Sequence, residues 1–294
     1  MKVVLMGGFF VSIGIQRRSR EGRTMKKIIT LLLVLLTLCA CSGKQESNEK
    51  KITVAASPTP HAEILAVAKE LLAKEGWELE VVEFEDYVQP IEVVESGELD
   101  ANYFAHVPYL NNYNDEHGTK QVVVGKVHYE PFGIYPGKKT TLDQLEDGDE
   151  VLIPNDGTNE TRALLLLQDN GILTLPDGTG ADTIVTVNDV VSYAVNIKIV
   201  EVEAAQIARS REDAALVILN GNYALAAGLN VSRDAIAYEK ADSSAAKTYV
   251  NVLAVKEGNE NNEGIQALVK VLTSQEIVDF INNTYKGAVV PFAE

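Results

Sequence analysis

Cysteine is almost missing from this chain. Its 294 residues contain two, Cys39 and Cys41, both at the end of one apolar segment near the start. Beyond them no disulfide and no cysteine metal site can form, so the remaining chain must be stabilised by its packed core. Histidines at metal-ligand spacing are also missing. His61, His106, His117 and His128 make no His-Glu-x-x-His or related pattern, and no metal or other cofactor is expected. There is no Gly-x-Ser-x-Gly elbow and no Gly-x-x-x-x-Gly-Lys phosphate loop. Nothing nominates a catalytic residue, and no enzymatic activity is expected. Positive charge is scarce, with 26 Lys and Arg against 42 Asp and Glu, a net charge of −16. Nucleic acid needs a basic surface, as does an anionic membrane patch, so neither partner fits. The plain use of so much acid is solubility. No apolar run reaches the roughly 20 residues of an ordinary membrane span.

What is present begins with an export signal. Met25 is followed by Lys26 and Lys27, then by an apolar run from Ile28 to Leu38 broken only by Thr30 and Thr37. Leu38-Cys39-Ala40-Cys41 closes it with small residues before a cysteine. That order of charge, apolar run and cysteine is a bacterial lipoprotein signal. Cys41 is expected to become the lipidated N-terminus, carrying acyl chains such as palmitate, and two chains make a stable anchor where one is marginal. The alternative, a hydrophobic core segment, does not explain the terminal cysteine. Residues 1–24 carry Arg17, Arg18, Arg20 and Arg23 after a second apolar block, which would confuse export. Translation is therefore expected to start at Met25, with 1–24 a mis-assigned extension, 25–40 the signal and 41–51 a polar tether.

Residues 1–40 hold seven basic residues against one acidic, so the part after the signal carries about −22. From residue 52 the pattern alternates between strand and helix. Ile52-Thr53-Val54-Ala55-Ala56 reads as a β-branched strand, and Ser57-Pro58-Thr59-Pro60 as a helix start. Leu65, Ala68, Leu71 and Leu72 make one helix face, which stops at Gly76, and a strand follows at 79–84. That β-α-β unit implies a parallel pair. Further strands are expected at 99–103, 121–127, 132–135, 151–154, 197–202, 214–219 and 249–255. Helices are expected at 89–96, after Pro108, and at 161–169, 204–209, 263–273 and 275–283. The fold class is α/β, with helices on both faces of mostly parallel sheets. The length suits two lobes, expected at 52–135 with 247–294, and at 136–246.

Ligands of such sheets bind at the carboxyl ends of strands. Those ends carry Phe104, His106 and Tyr109, then Arg162 in the first turn of a helix, Asn220 before Gly221, and Asn251 in the last strand. Arginine forks onto a carboxylate, amide oxygens accept from an ammonium, and rings enclose an apolar tail, so the set suits a zwitterion. Each residue also has a plainer reading. Arg162 could be a surface ion pair, Asn220 a turn residue, His106 a helix cap or rim residue, and Phe104 core.

Longer stretches carry a family resemblance. They are Val82-Glu83-Phe84-Glu85-Asp86-Tyr87-Val88-Gln89-Pro90, Gly97-Glu98-Leu99-Asp100-Ala101-Asn102-Tyr103-Phe104-Ala105-His106-Val107-Pro108-Tyr109-Leu110, Ile153-Pro154-Asn155-Asp156-Gly157-Thr158-Asn159 and Ile199-Val200-Glu201-Val202-Glu203-Ala204-Ala205-Gln206. In these the chain resembles the NlpA lipoprotein family, the methionine-binding proteins of ABC importers, from Met25 to Glu294. The resemblance implies a two-lobed periplasmic-binding-protein fold of type II with ligand in the cleft. It implies that Arg162 holds a carboxylate and that Asn220 and Asn251 orient the amino-acid backbone. Phe104, His106 and Tyr109 would line the side-chain pocket, helped by Tyr129 and Phe132. The implied function is a lipid-anchored protein on the extracytoplasmic face of a membrane. It would capture L-methionine and deliver it to an ABC permease and its ATPase. The alternatives are a methionine-containing dipeptide or another apolar amino acid, or a non-transport interaction protein of the envelope.

Overall fold

The computed structural model describes residues 50–240 and 247–293. The signal segment, Cys41 and most of the tether lie outside the described residues.

The first unit is strand β1 (Lys51–Ala56), helix α1 (Glu63–Lys74) and strand β2 (Glu78–Glu83). β1 and β2 pair in parallel, with Ile52 opposite Leu79 and Ala56 opposite Glu83. α1 buries Ile64, Leu65, Ala68 and Leu72 on one face, the stripe that helical spacing requires. Helix α2 (Gln89–Glu95), strand β3 (Ala101–His106), helix α3 (Val107–His117) and strand β4 (Gln121–Tyr129) follow. Every residue of β3 is buried, so this strand lies inside a sheet covered on both faces.

The chain then enters a second sheet. Strands β5 (Gly133–Pro136) and β6 (Glu150–Pro154) come before helix α4 (Gly157–Asp169) and the short pair β7 (Leu173–Thr174) and β8 (Ser192–Tyr193). Strand β9 (Lys198–Val202), helix α5 (Ala204–Ile207), strand β10 (Leu216–Leu219), helices α6 (Gly221–Ala226) and α7 (Val231–Asp234) and strand β11 (Ala237–Tyr238) complete that lobe. Strand β12 (Val250–Lys256), helices α8 (Glu263–Leu272) and α9 (Gln275–Tyr285) and strand β13 (Val290–Pro291) return to the first.

The six-stranded sheet has the order β13-β4-β12-β3-β1-β2, and the five-stranded sheet the order β11-β5-β10-β6-β9. Both are mixed. β1 is parallel to β2 and β3, whereas β12 runs antiparallel to both β3 and β4. β6 is parallel to β9 and β10, whereas β5 runs antiparallel to β10 and β11. The expectation of mostly parallel sheets therefore holds only for the β-α-β units. Strands that are not joined to their sheet neighbour by a β-α-β crossover are free to pair antiparallel.

The chain passes between the sheets twice, at residues 130–132 and between β11 and β12. The larger apolar cluster takes in Tyr135, Leu152, Val217 and Leu219 of the second sheet as well as residues of the first, and a smaller one belongs to the second lobe alone. α8 and α9 contribute Ile265, Leu268, Leu272, Ile277 and Ile281 to the core that also holds Ile52, Val54 and Leu72. α4 contributes Ala163, Leu164, Leu166 and Leu167 to a second cluster with Val151, Ile153, Leu216 and Ile218. Gly264 sits where α8 crosses the first sheet. A Cβ there would meet the Trp77 ring at 2.8 Å and Ile52 at 2.9 Å.

Candidate functional site

Elements of both sheets wall a narrow cavity of about 20 Å³, room for about one water molecule in this arrangement of the lobes. Phe104, Ala105 and His106 come from the end of β3, Tyr109 from α3, Asn159 and Arg162 from α4, Asn220 from the end of β10 and Asn251 from β12. Six of the seven residues singled out in the sequence thus line one cavity, on walls from both lobes. Tyr129 does not. It is buried behind Arg162, with its hydroxyl donating to Glu239 Oε2 at 2.6 Å. Phe132 is fully buried in the second lobe's core, and the Arg162 guanidinium lies 4.7 Å from its ring centroid.

Arg162 is buried, and its charge is already matched. Nε donates to Glu239 Oε1 at 2.8 Å and Nη2 to Glu239 Oε2 at 2.6 Å, while Nη2 also reaches the Glu130 carbonyl at 3.0 Å. Burial opposes the cation, but the Glu239 carboxylate outweighs it and holds the guanidinium pKa above its ordinary value. Rings of Tyr249, Phe132 and Tyr129 surround it at 4.1, 4.7 and 5.8 Å. Glu239 takes the Nε–Nη2 edge, and the rest of the guanidinium lines the cavity, where a ligand carboxylate would meet it. α4 begins at Gly157, capped by the Asp156 side chain on the Asn159 N–H. This is four residues before the expected start, so Arg162 lies in the second turn. It acts through its own guanidinium and not through free N–H groups at a helix start.

An amide chain runs beside it. Asn159 Nδ2 donates to both Asp156 oxygens at 2.9 Å. That fixes Asn159 Oδ1 as an acceptor, and it takes a bond from Asn220 Nδ2 at 2.8 Å. His106 Nδ1 accepts from the Tyr109 N–H as the N-cap of α3. Its Nε2 therefore carries the proton and donates to Asn159 Oδ1 at 3.0 Å. Burial, then the Arg162 charge, pushes the His106 pKa down to about 3. Asn220 Oδ1 is buried without a partner among the described residues, an acceptor waiting on the cavity wall.

Tyr87, Glu130, Gly221 and Asn222 complete the lining, and the sequence had not marked them. Tyr87 packs its ring against Phe104 and Tyr109 at 5.7 and 5.5 Å. Its hydroxyl donates to Asn222 Oδ1 at 2.6 Å, and the Tyr223 hydroxyl donates to the Glu85 carbonyl at 2.8 Å. These bonds join the lobes across the cleft. Glu239 was also missed, since Tyr238-Glu239-Lys240 reads as an ordinary surface turn. Glu130 did leave a trace: His128 and Glu130 are two apart, on one face of a strand, just before Pro131.

His61 and His128 sit beneath Glu130. His128 Nε2 lies 2.7 Å and His61 Nε2 3.4 Å from Glu130 Oε1, and His61 Nε2 is 3.0 Å from Asn251 Oδ1. The three groups have the composition of a divalent-metal site, with ligand atoms within 4.8 Å of one another. They are already engaged with one another and with Asn251, and the Tyr103 hydroxyl is bonded to His128 Nδ1. Burial pushes His61 down to about 4 and His128 to about 3. It raises Glu130 above its ordinary value.

Two α/β lobes, with a cavity between them that combines a guanidinium, free amide acceptors and clustered rings, define a two-lobed ligand-binding protein of the periplasmic-binding type. The chain belongs to the NlpA lipoprotein family, whose model matches residues 52–293. It is 37% identical to the methionine-binding lipoprotein MetQ of Bacillus subtilis, over 92% of this chain and 100% of that protein. A lipoprotein structure from Ruminococcus gnavus is 64% identical, with a TM-score of 0.81, covering 83% of this chain and 100% of that one. A nutrient-binding protein from Burkholderia cenocepacia, solved bound to methionine, is 38% identical with a TM-score of 0.78, covering 82% and 100%.

Proposed function

We propose that this chain is an extracytoplasmic substrate-binding lipoprotein, anchored through Cys41, that captures L-methionine or a close analogue and delivers it to an ABC importer. The observation that carries the reading is the pairing of complementary groups in one cavity. The Arg162 guanidinium and the unpartnered acceptor Asn220 Oδ1 line the same cavity, the two complements a zwitterion needs. Phe104, Tyr87 and Tyr109 supply an aromatic wall for a thioether, and sulfur–ring contacts add about 0.3–1.5 kcal/mol each. The related proteins named for methionine support the choice of ligand. No catalytic residue is assigned, because the groups on the wall bind and orient but include no activated nucleophile. Permease and ATPase subunits are the expected partners. Lobes at 52–135 with 247–294 and at 136–246 are supported by the two passages between sheets, at residues 130–132 and between β11 and β12.

The test is calorimetry on the chain beginning at Ser42, unfolded and refolded to remove carried-over ligand. Binding of L-methionine at micromolar or tighter is expected, since about nine heavy atoms permit far more than that. Folded protein that neither binds nor is stabilised by L-methionine refutes the ligand. Competition with methionine-containing dipeptides and with D-methionine then sets the selectivity.

A further inference from the structure

Charge on the cavity wall does not balance. Arg162 is the single Lys or Arg among the residues lining it, and Glu239 already takes its Nε–Nη2 edge. Glu130 is a second buried carboxylate on the same wall, 5% exposed. Among the described residues no Lys or Arg side chain lies within ion-pair distance of its carboxylate. The two histidines beside it are neutral at pH 7, because burial holds both far below that pH. A buried carboxylate without a cation is costly.

What surrounds Glu130 aims it without neutralising it. The Asn222 backbone N–H favours its charged form. With the Tyr103 hydroxyl donating to His128 Nδ1, His128 carries its proton on Nε2 and donates to Oε1. His61 Nε2 stands 3.4 Å from the same oxygen. Residue 221 has no side chain, and a Cβ there would come within 2.7 Å of Oε2. Gly221 therefore keeps the Oε2 face clear. Next to it, Asn220 Oδ1 is the unpartnered acceptor. A carboxylate and an unpartnered amide oxygen lining the same cavity are complementary to a group bringing three N–H bonds and one positive charge.

We infer that Glu130 is the residue that reads the ligand's α-ammonium, with Asn220 Oδ1 as second acceptor, and that His128, backed by Tyr103, is a positioning residue for it. This rests on the amino-acid reading above and adds a rank order. The ammonium is the stronger recognition element and the carboxylate the weaker, because most of the Arg162 guanidinium is committed to Glu239. A ligand without its ammonium loses more affinity than one whose carboxylate is capped as an amide.

Three probes test this by calorimetry on wild type and Glu130→Gln: L-methionine, L-methioninamide and 4-(methylthio)butanoate, which lacks the ammonium. Wild type is expected to bind the first two, and the butanoate at least ~30-fold more weakly than L-methionine, the scale of losing one partner of a buried charge pair. E130Q is expected to lose roughly 30-fold or more for L-methionine and L-methioninamide and little for the butanoate. His128→Gln should shift the same ratio in the same direction by a smaller factor. The inference is overturned if E130Q binds L-methionine within about threefold of wild type. It is equally overturned if E130Q weakens all three probes by one common factor, which would mark a structural role. Should E130Q not fold, the wild-type series decides, because a butanoate bound within about threefold of L-methionine excludes ammonium recognition. Folded wild type that binds none of the probes overturns the amino-acid reading, and this inference with it.

Discussion

Replacing Glu239 with glutamine should destabilise the unliganded protein far more than a typical carboxylate-to-amide change. Glu239 accepts four hydrogen bonds: two from Arg162, one from the Tyr129 hydroxyl and one from the Phe132 N–H. Its side chain and that of Arg162 are 9% and 4% exposed. Glutamine keeps the shape but removes the charge, and turns one acceptor oxygen into an N–H₂ facing donors. Breaking a buried pair by removing one partner costs about 3–5 kcal/mol. For a domain of this size 1 kcal/mol corresponds to roughly 2–4 °C, so Tm should fall by about 6–20 °C. Buried pairs are weakly screened, so added salt should not recover the loss. Glu150→Gln is the control, because the Glu150–Lys198 pair is 45% and 65% exposed and such pairs are worth about 0–1 kcal/mol. Thermal unfolding of both variants without ligand reads the difference. A fall in Tm of less than about 3 °C for E239Q, or equal falls for both, refutes the claim that this pair holds the back of the cavity.

Acid should weaken the fold. His61, His106 and His128 have folded pKa values lowered from 6.5 to about 4, 3 and 3, so the unfolded chain binds more protons once pH drops below 6.5. Each costs roughly 2 kcal/mol at pH 5, offset in part by the raised Glu130, and a Tm that is flat between pH 7 and 5 would contradict this. Gly264→Ala should cost about 1–3 kcal/mol by overpacking against Trp77 and Ile52, measured as a shift in denaturant midpoint at constant slope. His106→Ala should lose an N-cap worth about 0.5–2 kcal/mol and also weaken L-methionine binding, because Asn159 loses the bond that helps fix its side chain; unchanged affinity would place His106 outside the recognition network.

Much of the architecture was legible because hydrophobic period and turn residues are local signals. β1, β2 and the helices α8 and α9 lie within a residue or two of where the pattern put them, whereas α1 begins at Glu63, past the start expected at Ser57–Pro60, because Thr59 is extended and the segment Pro58–Ala62 is irregular. β3 runs to His106, further than expected, because its polar end is buried against a second lobe that no local pattern announces. The start of α4 was missed because Asp156 was read as loop and not as a cap. The strand-end argument reached Phe104, His106, Tyr109, Arg162, Asn220 and Asn251 because side chains at those positions must face the cleft. It could not reach Glu130 or Glu239. Both lie on the passages between sheets, and in a chain with 42 acidic residues an acid gains meaning only from what it is buried against.

Those two passages have a mechanical consequence. Glu130 and Phe132 sit on one, Glu239 and Tyr249 flank the other, and all four touch Arg162. The guanidinium thus rivets the two passages together at the axle about which any turning of the lobes would occur. The Tyr87–Asn222 and Tyr223–Glu85 bonds lie where the jaws meet. A lever amplifies motion away from its pivot, so a few tenths of an ångström at Arg162 become a larger excursion at the jaws. If the lobes turn about these passages when the proposed ligand binds, a small chemical difference beside Arg162 becomes the widest change of outline the protein can offer a docking partner.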